Sequence, residues 1–205
     1  ELILRDFAAE SFGAVVLSSV TASVVGRALL GDETFLALPA FAVRSPAEYP
    51  LYLALGVAVG LIGVGFSKLL YLVEDACDWL WRGPEWARPA VGGLFLGGLL
   101  IVLPQMYGVG YPVLQNAVHG QYLIGMLLVL MAGKMFATSL TIGIGGSGGV
   151  FAPTLFVGAM AGTAFGTVAH EIFPRLTEAP GAYGLIGMGA ALGGATRAPI
   201  TAVII

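Results

Sequence analysis

Residues 145–153 read Gly145-Gly146-Ser147-Gly148-Gly149-Val150-Phe151-Ala152-Pro153, and an apolar helical pattern without a charged side chain follows them to about Ala169. Glycines and a serine make a close-approach loop, and Pro153 suits the first turn of a helix, where its missing N–H costs nothing. A helix therefore begins near Val150, with bare backbone N–H groups pointing into whatever lies beyond the glycines. Such a terminus carries about half a positive charge and several unsatisfied donors. That combination reads as an anion site in waiting. In an apolar chain it is also a loop-to-helix break at membrane depth, which survives only when buried in protein or lining a wet cavity.

The rest of the sequence sets that depth. Of 205 residues, 58% are hydrophobic and 10% charged, with 31 glycines. Soluble domains carry about 25% charged residues, so this composition excludes an ordinary soluble protein. Uncharged runs at 49–67, 89–133 and 135–169 are long enough to cross a bilayer core, which takes about 20 helical residues. The net charge of −3 is neither extreme nor clustered, and no basic patch points to nucleic acid. Cys77 is the one cysteine, without metal-ligand neighbours, and reads as a packing residue. The chain opens on Glu1 without a basic leader and stops at Ile205 in a helical pattern, so part of a longer transmembrane domain is expected.

Residues 1–7 read as the charged end of a helix, and 12–30 as a membrane segment rich in Ser, Thr, Ala and Gly, which lets helices approach closely. Residues 31–50 read as a loop outside the hydrocarbon, with Asp32, Glu33, Arg44 and Glu48. A second crossing at 51–66 runs without a breaker into 67–82, one long helix emerging at an interface marked by Trp79 and Trp81. The turn at 82–89 carries Arg82 and Arg88 and is the best candidate for a cytoplasmic loop. A third crossing at 90–103, an irregular polar stretch at 104–121 and a fourth crossing at 122–141 lead to the glycine loop. After the helix at 150–169 come a loop at 170–181 and a short glycine-rich helix at 183–195, and Arg197-Ala198-Pro199 starts another. Short, interrupted segments of this kind are typical of transporters built around a midplane site.

Gly148-Gly149-Val150-Phe151-Ala152-Pro153 resembles the G-x-F-x-P signature of the CLC chloride channels and chloride/proton antiporters. Lys134 stands where that family often has a basic residue ahead of the loop. Ala164-Phe165-Gly166, Gly187-Met188-Gly189-Ala190 and Thr196-Arg197-Ala198-Pro199 resemble further blocks of the pattern. The resemblance covers most of the chain and is closest from about residue 90 to 205. It implies an all-α, polytopic membrane fold of broken, re-entrant and tilted helices, part of an inverted-repeat architecture, with residues 1–205 as part of a single transmembrane domain truncated at both ends.

The same resemblance implies the chemistry. Backbone N–H groups of Val150 and Phe151 would bind the central chloride, with Ser147, Gly148 and Gly149 forming the loop and Ala152 and Pro153 completing the motif. A serine, a gating glutamate and a tyrosine complete the site in that family, on segments before and after these residues. A proton-relaying glutamate pair lies near the position of Glu1, which is followed here by Leu2. Channel and antiporter therefore both stay open. The expected partners are chloride or a similar anion, protons, the bilayer and a second copy in a homodimer. The expected location is the plasma (inner) membrane. No cofactor, metal or covalent chemistry is indicated, so the protein is not expected to be an enzyme.

Blander readings compete at each position. The glycine loop could serve close helix packing alone. Lys134 is either a lysine reaching for the interface or a cation drawing anions inward. Glu10 reads as an interface carboxylate, Arg197 as a cap, and His119 and His170 as solvated loop or helix-end residues. Gly145-Gly146-Ser147-Gly148 also fits the G-x-S-G turn of rhomboid-type intramembrane serine proteases, with Ser147 as nucleophile. Its base would be His170, but a helix of about 20 residues would carry that ring about 30 Å away.

Overall fold

A computed structural model describes residues 9–31 and 45–197. The described residues are helical, without a strand among them. Contacts divide the chain into two units, residues 1–37 and 38–205. The first holds α1, Ala9–Leu30. Among the described residues its apolar stretch runs over Val16–Leu29. Glu1, Leu2, the side chain of Glu10, and the helix expected after Arg197 lie outside the described residues.

The second unit carries α2 (Tyr49–Leu80), α3 (Arg88–Val102), α4 (Tyr111–Val118), α5 (Ile124–Gly143), α6 (Phe151–Ile172) and α7 (Pro180–Thr196). Short 3₁₀ turns at Pro46–Glu48, Glu85–Ala87 and Pro104–Met106 lead into or link them. Proline near the N-terminus of α2, α3, α4 and α7 starts each without sacrificing a needed N–H. Among the described residues, four segments are long and apolar enough to cross a membrane: Pro46–Leu80, Glu85–Val102, Ile124–Gly143 and Phe151–Ile172. The unbroken helix expected from residue 51 through about 82 is α2. The stretch at 104–121 is more ordered than its composition suggested. It contains α4, whose Leu114, Ala117 and Val118 are buried.

The core of this unit is α6, which is buried on almost every side from Thr154 to Ala164. Membrane helices gain no hydrophobic advantage by associating in lipid, so close packing of small residues must hold them. A β-carbon on Gly158 would collide with the Gly187 carbonyl oxygen, and one on Gly162 with that of Tyr183. On the other side of α7, the same is true of Gly63 against Ala191 and Gly194 against Gly60. Backbones of α2, α7 and α6 thus touch directly, and Ser67 Oγ donates to the Ala195 carbonyl at 3.0 Å. This seam holds α6 against α7 from Gly158 to Gly166, behind its first turn.

Candidate anion site

The C-terminus of α5 and the N-terminus of α6 meet in the glycine loop. Gly145 adopts φ +85°, a left-handed conformation that glycine reaches without a β-carbon penalty. Its N–H donates to Ile142 O and that of Gly146 to Thr141 O, both at 2.9 Å. These paired bonds end α5 and turn the chain back. Beyond them the pattern changes. No described group accepts from the backbone N–H of Ser147, Gly148, Gly149, Val150, Phe151 or Ala152. The first bond of α6 runs from Thr154 N–H to Val150 O at 3.0 Å, and no side chain caps the helix. Ser147, Gly148 and Gly149 are exposed and Val150 is half-buried. A row of backbone donors with no protein acceptor therefore stands at the positive end of a helix, the kind of terminus that suits an anion.

A cavity of about 400 Å³ opens beside this loop. Its wall includes Gly148, Gly149 and Pro153 from the loop and α6, Lys134, Thr138 and Thr141 from α5, and Met106 and Gly108. Lys134 is only 5% exposed. Its Nζ donates to Gly108 O at 2.6 Å and to Met106 O at 3.2 Å, and lies 5.2 Å from the centre of the Phe156 ring. The ammonium therefore stays inside the protein instead of reaching outward, which removes the interface reading of this lysine. Among the described residues no carboxylate pairs with it. Carbonyl dipoles and a ring face ease the burial of a cation without neutralising it. Lys134 thus stands in the cavity wall without a carboxylate partner among the described residues.

Three residues differ from their sequence reading. Glu48, expected in a loop outside the hydrocarbon, is fully buried. Its carboxylate accepts from the Tyr52 hydroxyl at 2.9 Å and from the Glu178 N–H, tying the start of α2 to the loop before α7. His170 is half-buried instead of solvated, with Nδ1 3.0 Å from Thr177 Oγ1. Arg88 is not a free loop charge: it starts α3, pairs with Asp78 and donates to the Gly143 carbonyl. Other readings hold. Cys77 packs at the Gly143 position, His119 is exposed at the end of α4, and Arg197 is the C-terminal cap of α7. Ser147 and His170 sit at opposite ends of α6, about 30 Å apart at the rise of a helix, so the serine has no histidine base there.

Thr138 and Thr141 were missed as cavity-lining residues, and so was the 106–108 turn that holds Lys134. Hydroxyl-bearing residues at that spacing on an apolar helix are also common in plain helix contacts, so their sequence signal is weak.

Known proteins can now be set beside this geometry. The whole chain, residues 1–205, matches the family described as voltage gated chloride channel. The chain is 35% identical over 199 residues to the H(+)/Cl(−) exchange transporter ClcA of Vibrio campbellii, covering 95% of this chain and 42% of that protein. The same figures describe its match to the transporter of that name from Vibrio cholerae. Among solved structures, a slow cyanobacterial Cl−/H+ antiporter superposes with a TM-score of 0.81 at 25% identity, over 97% of this chain and 47% of that one. A CLC-type fluoride/proton antiporter shares the fold with a TM-score of 0.78 at 23% identity, over 98% of this chain and 49% of that one. The chain spans less than half the length of each of these relatives. On the match along its entire length, it belongs to the voltage gated chloride channel family.

Proposed function

We propose that the protein of which this chain forms part carries chloride, or a similar small anion, across a membrane. The anion rests against the N–H groups of Val150 and Phe151, with Ser147, Gly148 and Gly149 forming the loop that admits it and Ala152 and Pro153 setting the first turn. Lys134 supplies positive potential from the cavity wall. The observation that carries this reading is the run of unpartnered N–H donors from Ser147 to Ala152 beside a cavity holding a buried lysine. A helix terminus is worth at most about 2 kcal/mol to an anion, whereas stripping an ion of water costs far more. Further donors from elsewhere in the protein therefore complete the site, and the binding stays weak enough for release.

The Vibrio relatives are named as exchangers of chloride and protons, which supports proton exchange as the mode of transport here. The working form is a homodimer with one pathway per subunit, in the plasma (inner) membrane. Exposed apolar side chains such as Leu94, Phe95 and Ile101 on α3 suit lipid or a second copy. The test is the reversal potential of the full-length protein in planar bilayers, under a chloride gradient and then an added pH gradient. A potential that follows chloride and shifts with pH supports exchange. One that follows chloride and ignores pH makes the protein a channel. Absence of any anion current overturns the proposal.

A further inference from the structure

The last carbonyls of α5 can be accounted for one by one. Leu140 O accepts from Ile144 N–H, Ile142 O from Gly145 N–H and Thr141 O from Gly146 N–H, each at 2.9 Å. The turn of the glycine loop thus satisfies three of the last four carbonyls of α5 from its own backbone. The fourth, Gly143 O, is out of its reach. It is taken instead by the guanidinium of Arg88, from the first residue of α3. The two helices press together at this point: a β-carbon on Gly92 would collide with the Ile144 side chain. On the α2 side, a β-carbon on Gly143 would meet Cys77 Sγ at 3.1 Å. Three helix ends therefore converge on the residue that launches the glycine loop.

The electrostatics give this contact a role. The C-terminus of α5 carries about half a negative charge, through the same carbonyls that a helix leaves exposed at its end. That end lies at the root of the loop whose tip offers N–H groups to an anion. Left bare, it would oppose the anion that the α6 terminus attracts. A guanidinium on the outermost carbonyl answers both needs, satisfying the lone pair and placing a permanent cation at the negative end. Asp78 approaches Arg88 at 2.5 Å but is 59% exposed, whereas Arg88 is 21% exposed. Water therefore screens the carboxylate more than the guanidinium, so the pair offsets the α5 carbonyl end without adding net negative charge there.

We infer that Arg88 is a positioning residue for the anion site: it cancels the negative end of α5 and anchors the root of the glycine loop, so that the donors of 147–152 face the anion against a neutral or positive background. This rests on the reading of that loop as the anion site.

The test is chloride titration by isothermal calorimetry, with chloride-dependent efflux from liposomes, on the full-length protein. Relative to wild type, Arg88→Gln should weaken chloride binding by about 3- to 30-fold, the range expected for a charge at a helix terminus. The apparent KM should rise by a similar factor, with a smaller change in maximal rate. Arg88→Lys, which keeps the charge, should stay within about threefold of wild type. Asp78→Asn removes the carboxylate that offsets Arg88 and should tighten binding by about twofold. An ion pair with a merely structural role would make Asp78→Asn and Arg88→Gln equally harmful, and that result overturns the inference. So does a wild-type chloride dependence in Arg88→Gln. Should Arg88→Gln fail to fold, Asp78→Asn decides alone, and unchanged or weaker binding counts against the inference. Wild-type protein that binds no chloride would overturn the function proposed above, before any variant is compared.

Discussion

Gly149→Ala places a methyl group at the mouth of the donor row. A β-carbon built there meets nothing within 4 Å, and the backbone is not in the left-handed region, so alanine fits without strain. At such a position glycine-to-alanine stabilises by about 0.4–1 kcal/mol, because the unfolded chain loses freedom. Folding should therefore be intact or slightly improved. Transport should not be. Gly149 lines the 400 Å³ cavity beside Gly148 and Pro153 and directly precedes Val150 and Phe151, so the added methyl is expected to crowd the approach to their N–H groups. One methyl group misplaced in a fitted site changes occupancy about 10- to 200-fold, so chloride efflux from liposomes should fall by at least tenfold. Gly158→Ala is the counterpart. Its β-carbon would collide with Gly187 O and lie 2.8 Å from Ala191 Cβ and Met188 Cα, which costs about 1–3 kcal/mol of packing. It should lower the melting temperature in detergent as well as the flux. If Gly149→Ala transports at the wild-type rate, or loses transport only by losing thermal stability, the placement of the anion at this loop is wrong.

Other perturbations separate the remaining parts. Lys134→Met strips the Met106 and Gly108 carbonyls of their shared donor, at about 1–3 kcal/mol for the buried Met106 group left unpaired. It should lower both melting temperature and chloride flux, and an unaltered flux would remove the lysine from the anion path. Ser147→Ala keeps every backbone donor of the loop and should leave efflux within about threefold of wild type, whereas a serine protease would lose all activity. Glu48→Gln weakens the charge-assisted bonds from Tyr52 and the Glu178 N–H, each worth about 1.5–3 kcal/mol. Reduced thermal stability with an unchanged apparent KM for chloride would place Glu48 in the scaffold. A changed KM would link it to the site.

What the sequence made legible follows from the range of the forces involved. The glycine loop and the start of α6 are local: glycines, a proline and an uncharged run lie side by side, so residues 145–153 mark the break by themselves. Continuity of α2 is local too, since its only internal proline, Pro50, is in the first turn. The contacts that tune the site are not local. Arg88 reaches Gly143 across 55 positions, Lys134 reaches Gly108 across 26, and Glu48 reaches Glu178 across 130. None of these contacts could be read from the residue types, because in each the distant partner is a backbone group, which leaves no mark in the sequence. The helix α4 was hidden for another reason. Its eight residues mix Gln115 and Asn116 with apolar neighbours, and burial against α6 and α7, not propensity, holds it.

The N–H groups of Val150 and Phe151 are the proposed resting place of the anion. Bromide replaces chloride at weak anion sites and scatters anomalously, so crystals of the full-length protein grown in bromide test it directly. An anomalous peak is expected within about 3.5 Å of both nitrogens, at the charge-assisted contact distance lengthened for the larger ion, and it should be lost in Gly149→Ala. Bromide bound elsewhere in the protein, with none at this helix terminus, would contradict it.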